Sequence, residues 1–261
     1  DKLDTQQFMN AKLSYDFIIR IIQTLQQKPE LLDMYSEYSS DIELFHRFHD
    51  KILSLFDFSH FYSNDLSYFR KGIYEDLDEV SETIQITRDH LELISLRLSG
   101  IIDAKNACKF DNNDKHGYFL YCTKKRSILL GNRFQNIPNH IINIRDTDNT
   151  ILYKISSDSF TYVKKDNNNV FIECPEINML TSRLETSVDD MKVLNSLYWS
   201  QTMKELYEEY HETLLSVHNF VSDLDVTCSA AKVSTEHKYC KPELIESDKS
   251  CLVAQDMRHP I

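Results

Sequence analysis

Between positions 74 and 103, apolar or tolerant residues recur in an unbroken alternation of threes and fours: Leu77, Val80, Ile84, Thr87, Leu91, Ile94, Leu98 and Ile101. A repeat of 3.5 is slightly shorter than the α-helical 3.6, so such a seam stays on a partner helix only by left-handed supercoiling. Residues 176–223 carry an answering seam of Ile177, Leu180, Leu184, Ser187, Met191, Leu194 and Tyr198. Two seams of one period, about 70 residues apart, are best satisfied by packing antiparallel on each other, which predicts a coiled-coil lever with the insert at its far tip. At about 1.5 Å per residue the arms reach roughly 45 Å and 70 Å. The longer arm continues past Met203 into another body of protein through Leu206, Tyr210, Leu214, Val217, Val221 and Leu224. Two ordinary helices of a compact bundle would show similar spacing.

The same patterning places further elements. Asp4 can cap a helix to about residue 25 with Phe8, Leu13, Phe17, Ile18, Ile21 and Leu25 on one side, ended by Lys28-Pro29. Asp41 opens a second helix with Ile42, Phe45, Phe48, Ile52 and Leu55 at core spacing. The aromatic cluster Phe56, Phe58, Phe61, Tyr62, Tyr68 and Phe69 reads as core beneath a loop, and Gly72 as the break before the lever. Short β-prone runs follow at 116–121, 128–130, 140–144, 151–155, 160–163 and 170–172, separated by polar turns at 146–149 and 166–169. They predict one antiparallel sheet of four or five strands capping the lever. Pro175 suits the first turn of the returning helix. A short helix through Val233, an extended return at Tyr239-Cys-Lys-Pro242 and a strand at 252–254 complete the expected order.

The fold class is therefore mainly α with a small β insert. Residues 1–73 and 205–250 form a helical core, 74–115 and 175–204 the lever, 116–174 a β-rich clamp, and 251–261 the approach to a further domain. Sparse punctuation, four glycines and five prolines in 261 residues, supports long helices. The net charge of −12 argues against a nucleic-acid partner for most of the surface. Its distribution changes the picture, because residues 116–176 hold eight Lys or Arg against six Asp or Glu, leaving −14 for the remainder. A mildly basic tip, about a lever's length from the acidic core, could approach a polyanion alone. The six cysteines form no CxxC pair and read as reduced thiols of an intracellular compartment. No run is long enough to span a membrane and no signal peptide is visible.

Candidate chemistry is thin. His46, His49 and Asp50 could share a metal but lack the i, i+4 zincin spacing, and surface or capping roles suit them better. Cys228, His237, Cys240 and Cys251 could make a Cys₃His site, but their spacings fit no tight knuckle. No phosphate-loop, dinucleotide, nucleophile-elbow or zincin motif occurs, so the chain shows no catalytic site of its own. Lys124-Lys125-Arg126, read as a loop after the first tip strand, is the strongest local basic signal, and a solvated loop is its plain alternative.

Five short motifs in order resemble the core, lever and clamp of MutS-type DNA mismatch-repair proteins. Gly72-Ile-Tyr-Glu-Asp-Leu-Asp-Glu79 resembles the start of the descending lever helix, and His116-Gly-Tyr-Phe-Leu-Tyr121 the opening strand of the clamp. Cys174-Pro-Glu-Ile177 resembles the start of the returning helix, with Cys where Thr is usual. Asp223-Leu-Asp-Val226, Ala230-Ala231 and Tyr239-Cys-Lys-Pro242 resemble the passage back through the core, and Arg258-His-Pro-Ile261 the approach to the ATPase domain. The divergent, Asn-rich insert is reminiscent of the lineage found in large DNA viruses and some mitochondria. The resemblance implies a parent that uses ATP and Mg, acts as a homodimer on duplex DNA and closes two clamps around it. The ATPase and mismatch-reading motifs themselves have no counterpart in the chain.

The expected role is that of a lever and clamp contacting DNA backbone through Lys124, Lys125, Arg126, Arg133, Lys164 and Lys165, and coupling ATP state to clamp opening. The alternative is a coiled-coil module whose β tip binds protein and never touches DNA.

Overall fold

The computed structural model describes residues 4–63, 65–137, 140–246 and 250–254. Helix α1 (Thr5–Gln26) starts at a capping box in which the Asp4 carboxylate accepts the Gln7 N–H while the Gln7 side chain accepts the Asp4 N–H. After the short α2 (Pro29–Asp33), α3 (Ser39–Leu55) buries Ile42, Phe45, Phe48 and Ile52 at the expected spacing. The phase of α1 differs from expectation. Phe8, Ile19, Ile22 and Leu25 face inward, whereas Leu13 and Phe17 are exposed. The nearly continuous apolar run from Phe17 to Ile22 allows either phase. Tyr15 settles it by meeting Phe45 and Phe48 edge-on at 5.8 and 5.3 Å.

The aromatic loop is core, as expected. Phe56, with no exposure, packs against Phe8, Phe61, Phe69 and Trp199 with ring centroids 5.0–5.8 Å apart. Tyr62 is the exception and lies outside. Gly72, at φ +90, then turns the chain into α4 (Glu75–Ile101).

Helix α4 runs antiparallel to α6 (Pro175–His237), the predicted seams meeting along their length. Leu77, Ile84, Leu91, Ile94 and Leu98 of α4 and Ile177, Leu180, Leu184 and Met191 of α6 are each at most 2% exposed, which for such side chains stabilises by about 1.5–3 kcal/mol apiece. At the root, Tyr74 stacks on Tyr198 at 3.8 Å, and their hydroxyls reach Thr202 and Asp76 at 2.9 and 2.7 Å. Helix α6 does not break near Asp223. It runs 63 residues, about 95 Å at 1.5 Å each, because no Gly or Pro interrupts 176–241; Lys238 in the left-handed region ends it. Among the described residues no separate helix follows. Residues 239–246 carry no regular element, and 252–254 form no strand but stand exposed. The Arg258-His-Pro-Ile261 motif lies outside the described residues.

Among its described residues the insert holds six strands in two sheets rather than one sheet of four or five. Strands β1 (Cys108–Asn113), β2 (Gly117–Thr123), β5 (Thr161–Lys164) and β6 (Asn169–Glu173) form an antiparallel sheet in the order β1-β2-β6-β5, and β3 (Ile141–Arg145) pairs with β4 (Ile151–Ser156) alone. The run 128–130 is not a strand. It belongs to helix α5 (Lys124–Phe134), which Thr123 caps by accepting the Arg126 N–H and which buries Ser127, Leu130 and Phe134 at 3–4 spacing. Nor does the insert stand clear at a distant tip. The hairpin of β1 and β2 lies back along the helical pair, where the Tyr118 N–H donates to Glu185. Arg88 of α4 pairs with Asp65 of the aromatic loop and reaches the Tyr118 hydroxyl at 3.4 Å. Among the described residues, no helix is long and apolar enough to cross a membrane.

Candidate nucleic-acid interface

The six basic residues singled out by sequence do not form one surface. Four gather around the turn between β5 and β6. The Lys124 N–H donates to the Asn168 carbonyl and its ammonium to the Asn167 carbonyl, at 3.0 and 2.7 Å. Lys164 is the last residue of β5 and pairs in register with Val170, so it borders the same turn. Asp166 organises that turn by accepting the Asn169 side chain and the N–H groups of Asn168 and Asn169 at 2.7–2.9 Å. Those bonds, that of the Asn169 side chain foremost, hold its carboxyl below the usual carboxylate range. Lys125 and Lys164 extend freely to solvent, whereas the Lys165 ammonium lies 3.8 Å over the Tyr121 ring and 4.3 Å over that of Phe119.

The other two point elsewhere. Arg126 turns inward, half-buried, to the Ala107 carbonyl at 3.3 Å. Arg133, at the far end of α5, stands 3.7 Å from Asp103 in an exposed pair of the kind that contributes little.

Lys124, Lys125 and Arg126 occupy the first turn of α5, not a loop, and no acidic residue shares that turn. Cations there oppose the positive end of the helix dipole, at a cost of about 0.3–1 kcal/mol each. The same arrangement turns favourable beside an anion, because the helix dipole and the ammonium groups then act together.

A second positive surface escaped the sequence reading. Arg97 of α4 shares a cleft of about 600 Å³ with Lys154 and Asn143 of the β3–β4 hairpin, and an adjoining one of about 490 Å³ with Arg145. No acidic side chain lines either cleft among the described residues. The hairpin is fastened to α4 by a 2.8 Å hydrogen bond between the His90 Nδ1 and the Tyr153 hydroxyl. No local motif marks this surface, since Arg97 lies on a lever helix some 50 residues from its partners, a separation only the fold closes.

The metal and nucleotide possibilities find no support in the geometry. His49 is engaged by Asp16 at 2.8 Å, and no group of three or more His, Cys, Asp or Glu among the described residues is placed to hold a metal. The glycines do not fit a phosphate-cradling loop. Gly72 stands alone before α4, Gly117 lies in a hairpin, and Gly100 and Gly131 are inside helices. These residues do not fit ATP.

No family model matches the chain. It is 28% identical over 207 residues to a DNA mismatch repair protein, a MutS homologue, of Acanthamoeba polyphaga mimivirus, covering 75% of this chain and 18% of that protein. It is 27% identical over 191 residues to the mitochondrial DNA mismatch repair protein, a MutS homologue, of Sarcophyton glaucum, covering 71% of this chain and 18% of that protein. The matched stretch thus spans about a fifth of the length of these curated relatives.

Proposed function

We propose that this chain, a divergent member of the MutS family, is the lever and clamp portion of a longer DNA mismatch-repair protein, gripping duplex DNA by its backbone without reading bases. One observation supports the DNA contact. Lys124 and Lys125, exposed in the first turn of α5, and Lys164, exposed at the end of β5, border the Asp166 turn as a rim, and Lys124 is hydrogen-bonded to that turn. Phosphate contacts of this kind position a duplex but carry no sequence information. Mismatch recognition and ATP hydrolysis then belong to other parts of the parent, and the paired arms of a homodimer would close two such rims around the DNA.

Coupling would pass through the helical pair. Helix α6 links the insert to the aromatic base, and Arg88 ties the base loop, α4 and the β1–β2 hairpin together. A packed element with two discrete arrangements can transmit an ATP-driven tilt.

The test is duplex binding by the triple variant Lys124→Gln, Lys125→Gln and Lys164→Gln, followed by fluorescence anisotropy across a salt series. Each lost phosphate contact removes about 0.9 from the log–log salt slope, so a fall of about 2–3 is expected. An unchanged slope and affinity would give preference to the alternative, a protein-binding tip. That reading draws on the exposed Ile128, Leu129 and Val163 of the insert.

A further inference from the structure

Cys108 and Cys122 sit directly opposite each other on the neighbouring antiparallel strands β1 and β2. Residues so paired have Cα atoms about 4.5–5.5 Å apart, whichever of the two pair types they form, and a disulfide needs about 4.4–6.8 Å. The two thiols are near enough to act on each other's ionisation. Both backbones are fixed at this separation. The Cys108 N–H donates to the Ser99 hydroxyl at 2.9 Å and its carbonyl accepts the Ser95 hydroxyl at 2.8 Å, which fastens β1 to α4, while β2 is held between β1 and β6.

We propose that Cys108 and Cys122 form a disulfide modification site, closed by a small peroxide and reopened by thiols, that staples β1 to β2 where the insert joins α4. The inference rests on the fold alone and stands or falls separately from DNA contact.

The Arg126 guanidinium draws both thiols toward the thiolate; the Cys108 thiol holds Cys122 below its ordinary range against burial, whereas Cys108 is pushed up by its partner and by burial. Oxidation can start at Cys122. Its thiolate takes one oxygen of hydrogen peroxide, the O–O bond breaks, and the departing hydroxide collects the proton Cys122 released, giving water and a sulfenic acid. Cys108 Sγ then attacks the Cys122 sulfur, the S–O bond breaks, and a second water leaves with the Cys108 proton. Two thiols lose two electrons and one peroxide becomes two waters.

Arg126 thereby gains a role that its inward course had left open. The two cysteines are 3% and 2% exposed, so peroxide reaches them through local opening of the insert. The Tyr162 hydroxyl, buried with no hydrogen-bond partner among the described residues, has its pKa raised by burial and by these same two cysteines, placing a polar atom beside them. Cys174 supplies an internal control: equally buried, it is pushed up to about 12, by burial first and by the Glu176 carboxylate, and it faces the Ile177 and Glu176 amides and not another thiol.

The experiment uses the chain with Cys228→Ser, Cys240→Ser and Cys251→Ser, which removes the exposed thiols and leaves the three buried ones. The folded protein is treated with hydrogen peroxide, its remaining thiols are alkylated in denaturant, and its peptides are mapped by mass spectrometry. The expected result is a single cross-link between Cys108 and Cys122, reversed by dithiothreitol, with Cys174 alkylated. Adding Cys122→Ser should abolish the link and leave Cys108 alkylated. The same treatment of denatured chain should scatter the pairing among all three cysteines, showing that the native specificity comes from the fold. Cys108 and Cys122 remaining as alkylatable as Cys174, or a native link through Cys174, would overturn the proposal.

Discussion

At the scale of single residues, the buried polar groups decide more than the apolar ones. Asn195, 2% exposed on α6, accepts the Tyr68 N–H at 3.0 Å and donates to the Leu66 carbonyl at 2.9 Å. It thereby holds the aromatic loop to the helical pair. Asn195→Leu keeps the branched shape but orphans two backbone groups, so a loss of about 2–4 kcal/mol is expected in denaturant unfolding. His90 makes a prediction about pH. Burial, the largest influence, holds its ring below the ordinary histidine value, with Asp89 pulling the other way and Arg183 adding to the decrease. The unfolded chain binds this proton below about pH 6.5 while the folded chain resists it, so stability is full above that value and declines as pH falls toward the folded pKa. Thermal midpoints measured at about pH 7.5 and about pH 5.5 should therefore fall further in the wild type than in His90→Gln. Equal falls would remove His90 from the pH response.

At the scale of elements, legibility followed the strength of the pattern. The seam from Leu77 to Ile101 and its answer from Ile177 to Tyr198 were readable because seven or eight successive positions agree. Helix α5 was not, since Ile128-Leu129-Leu130 is β-prone and three cations stand at the helix end that disfavours them; only Thr123 and the 3–4 spacing of Ser127, Leu130 and Phe134 pointed to a helix. Strand β1 was missed because only Cys108 and Phe110 mark its buried face. The basic side chains were legible as charges but not as directions, and direction separates Lys125 from Arg126. Helix α6 carries its own test. Residues 225–232 are exposed throughout, whereas Leu206, Tyr210, Val217 and Phe220 are buried. Amide exchange should be slow through Phe220 and fast beyond Leu224, by at least tenfold, because helix without tertiary packing is only marginally stable. Uniform protection to His237 would reveal packing on that segment.

At the scale of the whole molecule, one rigid element joins an aromatic base to a β-rich insert, and charge is divided between them. The insert carries +2 over residues 116–176 within a chain of −12. An acidic body repels a polyanion and a cationic rim attracts it, so binding should depend on the rim and on screening. The direct measurement is fluorescence anisotropy of matched and mismatched duplexes titrated with this chain from about 50 to about 200 mM salt. A clamp that grips backbone predicts weak binding that falls steeply with salt and is the same for both duplexes. Absence of binding at the lowest salt, a flat salt response, or a preference for the mismatched duplex would contradict it.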